Sequence, residues 1–172
     1  GYTDFVIMQI VGVVFFGIFT LLSGPLADRI GRKRLLLGVT VAIILFGLTF
    51  AFFLLPQADA GLTRVYVQAF LIIGFLLMGT TFGPMGAVLP ELFPTNTRYT
   101  GSAISYNVSS ILGAALAPIV AVALWATGEG NPWLVGLYLS AMGVLTLIAL
   151  VLSPETKDVD YDDNIAAGAI AP

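Results

Sequence analysis

The sequence predicts an all-α transmembrane protein, and three observations carry that prediction. Only 10% of the 172 residues are charged, 58% are hydrophobic, and the mean hydropathy is +0.99. A soluble domain carries about 25% charged residues, so this chain cannot cover its surface with polar groups in water. The charges are also confined to short blocks between five charge-free segments, at about 5–22, 35–55, 65–89, 101–127 and 133–152. Each segment is near or above the ~20 residues that a helix needs to cross a ~30 Å hydrocarbon core. Barrel strands need about 10 residues of alternating polarity, which these runs lack.

The connections set the expected orientation. The first, 24–34, carries Arg29, Arg32, Lys33 and Arg34; the third, 90–100, carries Arg98; the tail carries Lys157. The second and fourth connections carry only Arg64 between them. The positive-inside rule places the first group, including both loops and the C-terminus, in the cytoplasm. Residues 1–153 then form the membrane domain. The acidic tail 154–172, with Asp158, Asp160, Asp162 and Asp163, is expected to be a disordered cytoplasmic end. Five spans with a cytoplasmic C-terminus put the N-terminus outside. That placement and a chain starting on Gly are expected of a C-terminal piece of a longer protein.

The spans differ in character. The second and fifth are mostly large and aliphatic, as expected of peripheral or lipid-facing helices. The third carries Gly74, Gly79, Gly83 and Gly86, with a GxxxG at 79 and 83 that lets another helix approach closely. In the fourth, Ser102, Ser105, Tyr106, Ser109, Ser110, Gly113 and Ala117 share one helix face, with Asn107 away from its centre. Such a polar, small stripe is expected to face protein or water. Pro84 and Pro118 fall inside spans, where each frees a carbonyl and favours a bend.

Chemistry is bounded by what is missing. There is no Cys and no His, so no disulfide, no thiolate metal site and no imidazole base exist within this chain. No Asp, Glu, Lys or Arg lies inside the five segments. Paired carboxylates, HExxH and a P-loop are absent, so neither an enzyme nor a metal or cofactor is expected. No basic surface large enough for nucleic acid remains.

The densest charge block is Gly24-Pro-Leu-Ala-Asp-Arg-Ile-Gly-Arg-Lys-Arg34. Asp28 falls at the end of the first span, where a carboxylate opposes the helix dipole unless it is paired. Gly31 permits a tight reversal. Arg32, Lys33 and Arg34 then open the second span, where they can meet Asp28, a neighbouring helix end or anionic lipid headgroups. A purely topogenic loop fits the same spacing.

The order of residues adds a resemblance. Gly24, Leu26, Ala27, Asp28, Arg29, Gly31, Arg32, Lys33 and Leu36 fill the pattern G-x-L-a-D-r-x-G-r-k-x-x-l, which resembles the signature loop of the major facilitator superfamily. Residues 90–101, Pro-Glu-Leu-Phe-Pro-Thr-Asn-Thr-Arg-Tyr-Thr-Gly, resemble that family's loop between spans ten and eleven. Residues 103–118 are similar to span eleven of the metabolite:proton symporter branch, which includes carriers of proline and betaine, oxoglutarate, citrate and shikimate. Ser153-Pro-Glu-Thr-Lys157 looks like the end of span twelve and is shared with sugar porters, although Asp158 replaces their glycine.

The resemblance implies five helices of the C-terminal six-helix bundle of a major-facilitator-type carrier, lacking span seven. It implies secondary active transport of a small polar metabolite, of organic acid or betaine/proline type, across the cytoplasmic membrane. Proton symport and alternating access come with it. Partners would be the metabolite, protons, the lipid bilayer and the missing N-terminal half. A sugar-type facilitator or symporter is the alternative, and a non-transporting scaffold or receptor of the same fold is a different class. The implied gate uses the signature residues Gly24, Asp28, Arg29, Gly31, Arg32 and Lys33 together with Glu91 and Arg98. The implied cavity is lined by spans seven, eight, ten and eleven, which makes Gln9, Thr81, Ser105, Tyr106, Asn107 and Ser109 its candidates here. Any proton-coupling carboxylate is expected outside these five spans.

Overall fold

The computed structural model describes residues 2–55 and 59–153, all in helices and short connections. In chain order these are α1 (Tyr2–Ile30), α2 (Arg32–Leu48), α3 (Phe50–Leu54), α4 (Ala60–Glu91), α5 (Arg98–Ser110), a π-helical turn (Ile111–Ala115), α6 (Leu116–Thr127) and α7 (Trp133–Leu152). The acidic tail expected at 154–172 lies outside the described residues.

Four stretches are long and apolar enough to cross a membrane: Thr3–Ile30, Ala60–Glu91, Arg98–Thr127 and Trp133–Leu152. The segment expected at 35–55 is instead divided at Thr49 into α2 and α3. Thr49 leaves the helical path at φ −92° and ψ 4°, and its hydroxyl donates to the Phe46 carbonyl at 2.9 Å. A β-branched hydroxyl that satisfies the backbone itself weakens the helical ladder at that point.

The charged block is also more helical than a loop reading implies. α1 runs through Gly24 and Pro25 to Ile30, and the whole reversal is made by Gly31, at φ 102° and ψ 132°. A side chain is strained at that φ, so a glycine is required. Gly31 still accepts from Leu35 N at 3.1 Å and donates to Ala27 O at 2.9 Å, so the two helices join with almost no slack.

Two close helix pairs organise the molecule. α1 packs along α4, and α2 along α7. The first seam uses the glycines that the sequence singles out. A Cβ on Gly79 would lie 2.5 Å from the Phe16 carbonyl oxygen, and one on Gly83 would lie 2.5 Å from that of Thr20. Ser23 is buried between them and donates to Gly79 O at 3.4 Å. The second seam sets Gly47 against Gly136 and Ser140, and Ser140 donates to Ile44 O at 2.9 Å. The reading of these two spans as large and aliphatic overlooked that seam, since three small residues on α7 are diluted among bulky ones. Gly136, Ser140 and Gly143 recur at helical spacing and form α7's buried face.

Elsewhere the apolar residues face outward. Leu21 is 78% exposed and Leu152 80%, whereas few large side chains are buried. This is the inverse of a water-soluble core and suits a lipid solvent. A small interior cluster of Ala27, Leu35 and Val39, flanked by Ile43 and Leu77, ties α1, α2 and α4 together next to Gly31. At the opposite end Phe46, Phe50, Phe53 and Phe70 pack as rings with centroids 4.7–6.3 Å apart.

The stretch Arg98–Thr127 lies at the margin. α5, the π-turn and α6 have no buried residue. Pro118 has no N–H to bond the carbonyl four residues back, at Ala114, and its ring crowds that carbonyl. The wider π-turn over Ile111–Ala115 absorbs the mismatch.

Candidate gate and cavity

The antiparallel helices bring the Gly31 reversal, the connection 92–97 and the end of α7 to one end of the bundle. There Arg32 sits on the first turn of α2 and reaches two carboxylates on two other helices. Its Nη2 is 3.2 Å from Asp28 Oδ1, on the last turn of α1, and its Nη1 donates to Glu91 Oε1, at the last residue of α4. The two contacts differ in weight. The Arg32 and Glu91 side chains are 20% and 18% exposed, whereas Asp28 is 64% exposed. A charge-assisted bond in a mostly desolvated place is worth about 1.5–3 kcal/mol, against about 0–1 kcal/mol for an exposed ion pair. Arg32 to Glu91 is therefore the principal clasp and Asp28 the lesser one. Asp28 also gains the compensation it needs at a helix C-terminus.

Lys33 makes a second tie. Its ammonium donates to the carbonyls of Val151, at 3.0 Å, and Ser153. These carbonyls close α7, where a cation complements the helix dipole. Arg98 Nε donates to Phe93 O at 3.5 Å within the 92–97 connection, and Arg98 Nη2 and Glu91 Oε2 are both buried. Gly31 makes the bend that brings these groups together. Gly24 meets no neighbour where its Cβ would stand, and Arg29 is exposed on the last turn of α1. The opposite end carries an exposed pair, Arg64 to Asp4 at 3.3 Å.

The cavity candidates do not all meet. Tyr106 and Asn107 line a groove of about 370 Å3 between α4 and α5, with Phe82, Met85, Tyr99 and Ser102. Thr81 lies in a neighbouring apolar cavity of about 520 Å3 that shares Phe82 and Met85 with that groove. Its hydroxyl donates to Leu77 O at 2.9 Å, within its own helix. Gln9 is exposed on α1, beside the buried Met8 whose carbonyl accepts from Gln68 at 3.3 Å. Ser109 is exposed and Ser105 half-buried, and neither lines the α4–α5 groove.

The groove face is thus centred on Ala103, not on the Ser105–Ser109 stripe. Tyr99, Ser102, Ala103, Tyr106 and Asn107 recur at steps of three and four, a pattern readable from the sequence but masked by the more conspicuous serines. Asn107, expected away from the polar stripe, therefore joins Tyr106. Its amide donates to Ala103 O at 2.8 Å, leaving the amide oxygen as an acceptor. Among the described residues no group of His, Cys, Asp or Glu is placed to hold a metal ion.

The sequence model of the sugar (and other) transporter family matches residues 1–163. The inner membrane metabolite transport protein YhjE of Escherichia coli (strain K12) is 51% identical over 150 residues, 87% of this chain and 33% of the relative. A putative metabolite transport protein of Haemophilus influenzae is 44% identical over 156 residues, 91% of this chain and 34% of the relative. The proline/betaine transporter of Escherichia coli (strain K12) is 32% identical over 135 residues, 78% of this chain and 26% of the relative. The chain spans about a quarter to a third of the length of these relatives. No solved structure matches. A signature loop whose Asp28 and Arg32 meet at one clasp, apolar helices joined through glycine seams and a family match over nearly the whole chain have one common source: the chain belongs to the sugar (and other) transporter family of the major facilitator superfamily.

Proposed function

We propose that this chain is part of a secondary transporter that moves a small polar metabolite across the cytoplasmic membrane by alternating access. The observation that carries the reading is the Arg32 clasp, which draws the ends of α1, α2 and α4 together through one guanidinium. A gate needs a contact strong enough to hold one state and exposed enough to be lost in the other. An ion pair at about one-fifth exposure meets both requirements. In this reading Arg32 and Glu91 form the latch, with Asp28 trimming it. Lys33 brings the end of α7 along, and Arg29, Arg98, Gly24 and Gly31 shape the surrounding reversal.

Tyr106 and Asn107 are the substrate-facing pair, with Thr81 on the adjoining wall. Gln9, Ser105 and Ser109 would contribute only where further helices of the carrier close over them. The groove offers two phenols, an amide, a hydroxyl and π faces but no charge, which suits a zwitterion such as proline or a betaine. Proton symport places the coupling carboxylate outside the five apolar segments. The charged end lies in the cytoplasm.

Uptake into proteoliposomes holding the full-length carrier tests the reading. Labelled proline, glycine betaine, dicarboxylates and sugars are compared with and without an inward proton gradient. Gradient-driven uptake of a zwitterion, lost in Tyr106→Ala and reduced in Glu91→Gln, is the expected result. Sugar uptake indifferent to the gradient would replace this reading with a facilitator. No uptake of any class, in a carrier that is inserted and folded, would abandon transport.

A further inference from the structure

α1 and α2 follow each other in the chain, yet α1 packs mainly on α4 and α2 mainly on α7. Away from Gly31 the two therefore part, and a groove of about 490 Å3 opens between them. One wall is Leu22, Leu26 and Ile30 of α1, and the other is Arg34, Gly38 and Ala42 of α2. Each set recurs every four residues, so each lies along one helix face. Leu76 and Leu77 of α4 also line it.

Three features give this groove a ligand chemistry. First, its lining is apolar except for Arg34 and two hydroxyls, and both hydroxyls are committed: Ser23 to Thr20 O at 3.1 Å and Thr80 to Leu76 O at 2.8 Å. Second, the Arg34 side chain is exposed and enters no hydrogen bond or ion pair among the described residues, in contrast to Arg32 and Lys33 beside it. Third, a Cβ on Gly38 would meet nothing within 4 Å, so this glycine leaves open volume and is not spent on helix contact. Eight residues separate Arg34 from Ala42, so the furrow runs ~12 Å inward from the guanidinium.

A furrow of that shape, with a cation at its mouth and hydrocarbon below, matches one component of the surrounding solvent. We infer that the α1–α2 groove binds an anionic phospholipid, with the phosphate on Arg34 and one acyl chain lying over Gly38 and Ala42. The surrounding charge favours an anion. Among the described residues, Arg29, Arg32, Lys33, Arg34 and Arg98 stand at this end against Asp28 and Glu91, and Arg32 engages both carboxylates. A soluble polar metabolite would find one cation and no other uncommitted polar group. The inference rests on the membrane setting and not on the transport reading.

Native mass spectrometry of the full-length carrier in mild detergent tests it. Phosphatidylglycerol and phosphatidylcholine of identical acyl chains are titrated, with glycerol 3-phosphate as the headgroup alone. The wild type should retain phosphatidylglycerol in preference to phosphatidylcholine. Arg34→Gln should weaken phosphatidylglycerol about five-fold and erase the preference, and Arg34→Lys should restore it. Gly38→Leu, which fills the furrow, should weaken both lipids alike. An unchanged preference in Arg34→Gln would overturn the site. Full competition by glycerol 3-phosphate would make it a phosphate site and not a lipid site. Crosslinking of Gly38→Cys to another segment of the carrier would mean that protein, not lipid, fills the groove.

Discussion

At the residue scale the proposed gate turns on how one guanidinium is shared. Arg32 holds Glu91 and Asp28 with different nitrogens, a geometry that a lysine's single ammonium cannot reproduce. Arg32→Lys should therefore keep part of the clasp and lose the other part, whereas Glu91→Gln removes the charge but keeps the shape. If the clasp is worth about 1.5–3 kcal/mol, its loss shifts the two-state population at least about ten-fold. Electron–electron distances between spin labels on the α1 and α4 ends should then broaden or lengthen in Glu91→Gln. Asp28→Asn should do the same more weakly, because its pair is mostly exposed. Equal effects of the two variants would contradict the ranking drawn from burial. Gly31 is a separate case. At φ 102° any side chain is strained, so Gly31→Ala should cost about 1–3 kcal/mol of stability. Thermal unfolding in detergent reads that loss directly.

At the element scale the helices pair through small residues, and the predictions differ between glycines inside a seam and glycines outside it. Gly79→Leu forces side-chain atoms into the Phe16 backbone and should destabilise by at least about 1–3 kcal/mol. Gly17→Ala, where the added carbon meets nothing within 4 Å, should be neutral or gain up to about 1 kcal/mol from helix propensity. Both are read by detergent thermal shift, and a loss at Gly17 matching that at Gly79 would remove the seam argument. The α1–α4 seam was readable beforehand because GxxxG is a short, dense signal. The α2–α7 seam was not, because Gly47 on one helix finds Gly136 and Ser140 on another nearly ninety residues away. No local pattern states which small residues will face each other. The same holds for the site. The signature loop could be read as a charged cluster, but its principal partner Glu91 arrives from the end of α4, nearly sixty residues away. The break at Thr49 and the π-turn before Pro118 escaped because hydropathy counts residues and does not follow the backbone hydrogen bonds.

At the scale of the whole molecule the charge distribution makes the most general prediction. Among the described residues, Arg29, Arg32, Lys33, Arg34 and Arg98 gather at the end that holds the Gly31 reversal, and Arg64 alone stands at the other. Cations flanking membrane spans are retained on the cytoplasmic side, so the proposed orientation puts the clasp, the Arg34 groove and the end of α7 on that face. The chain contains no cysteine, which makes the test direct. Asn96→Cys, in the connection after α4, and Glu129→Cys, in the connection before α7, sit at opposite ends and are both exposed. With any cysteines elsewhere in the carrier replaced, a membrane-impermeant maleimide applied to intact cells should label position 129 and spare position 96. Permeabilised cells should label both. The reverse pattern would put the clasp outside, where the same contacts would latch the external face, and the proposed order of gate opening would invert with it.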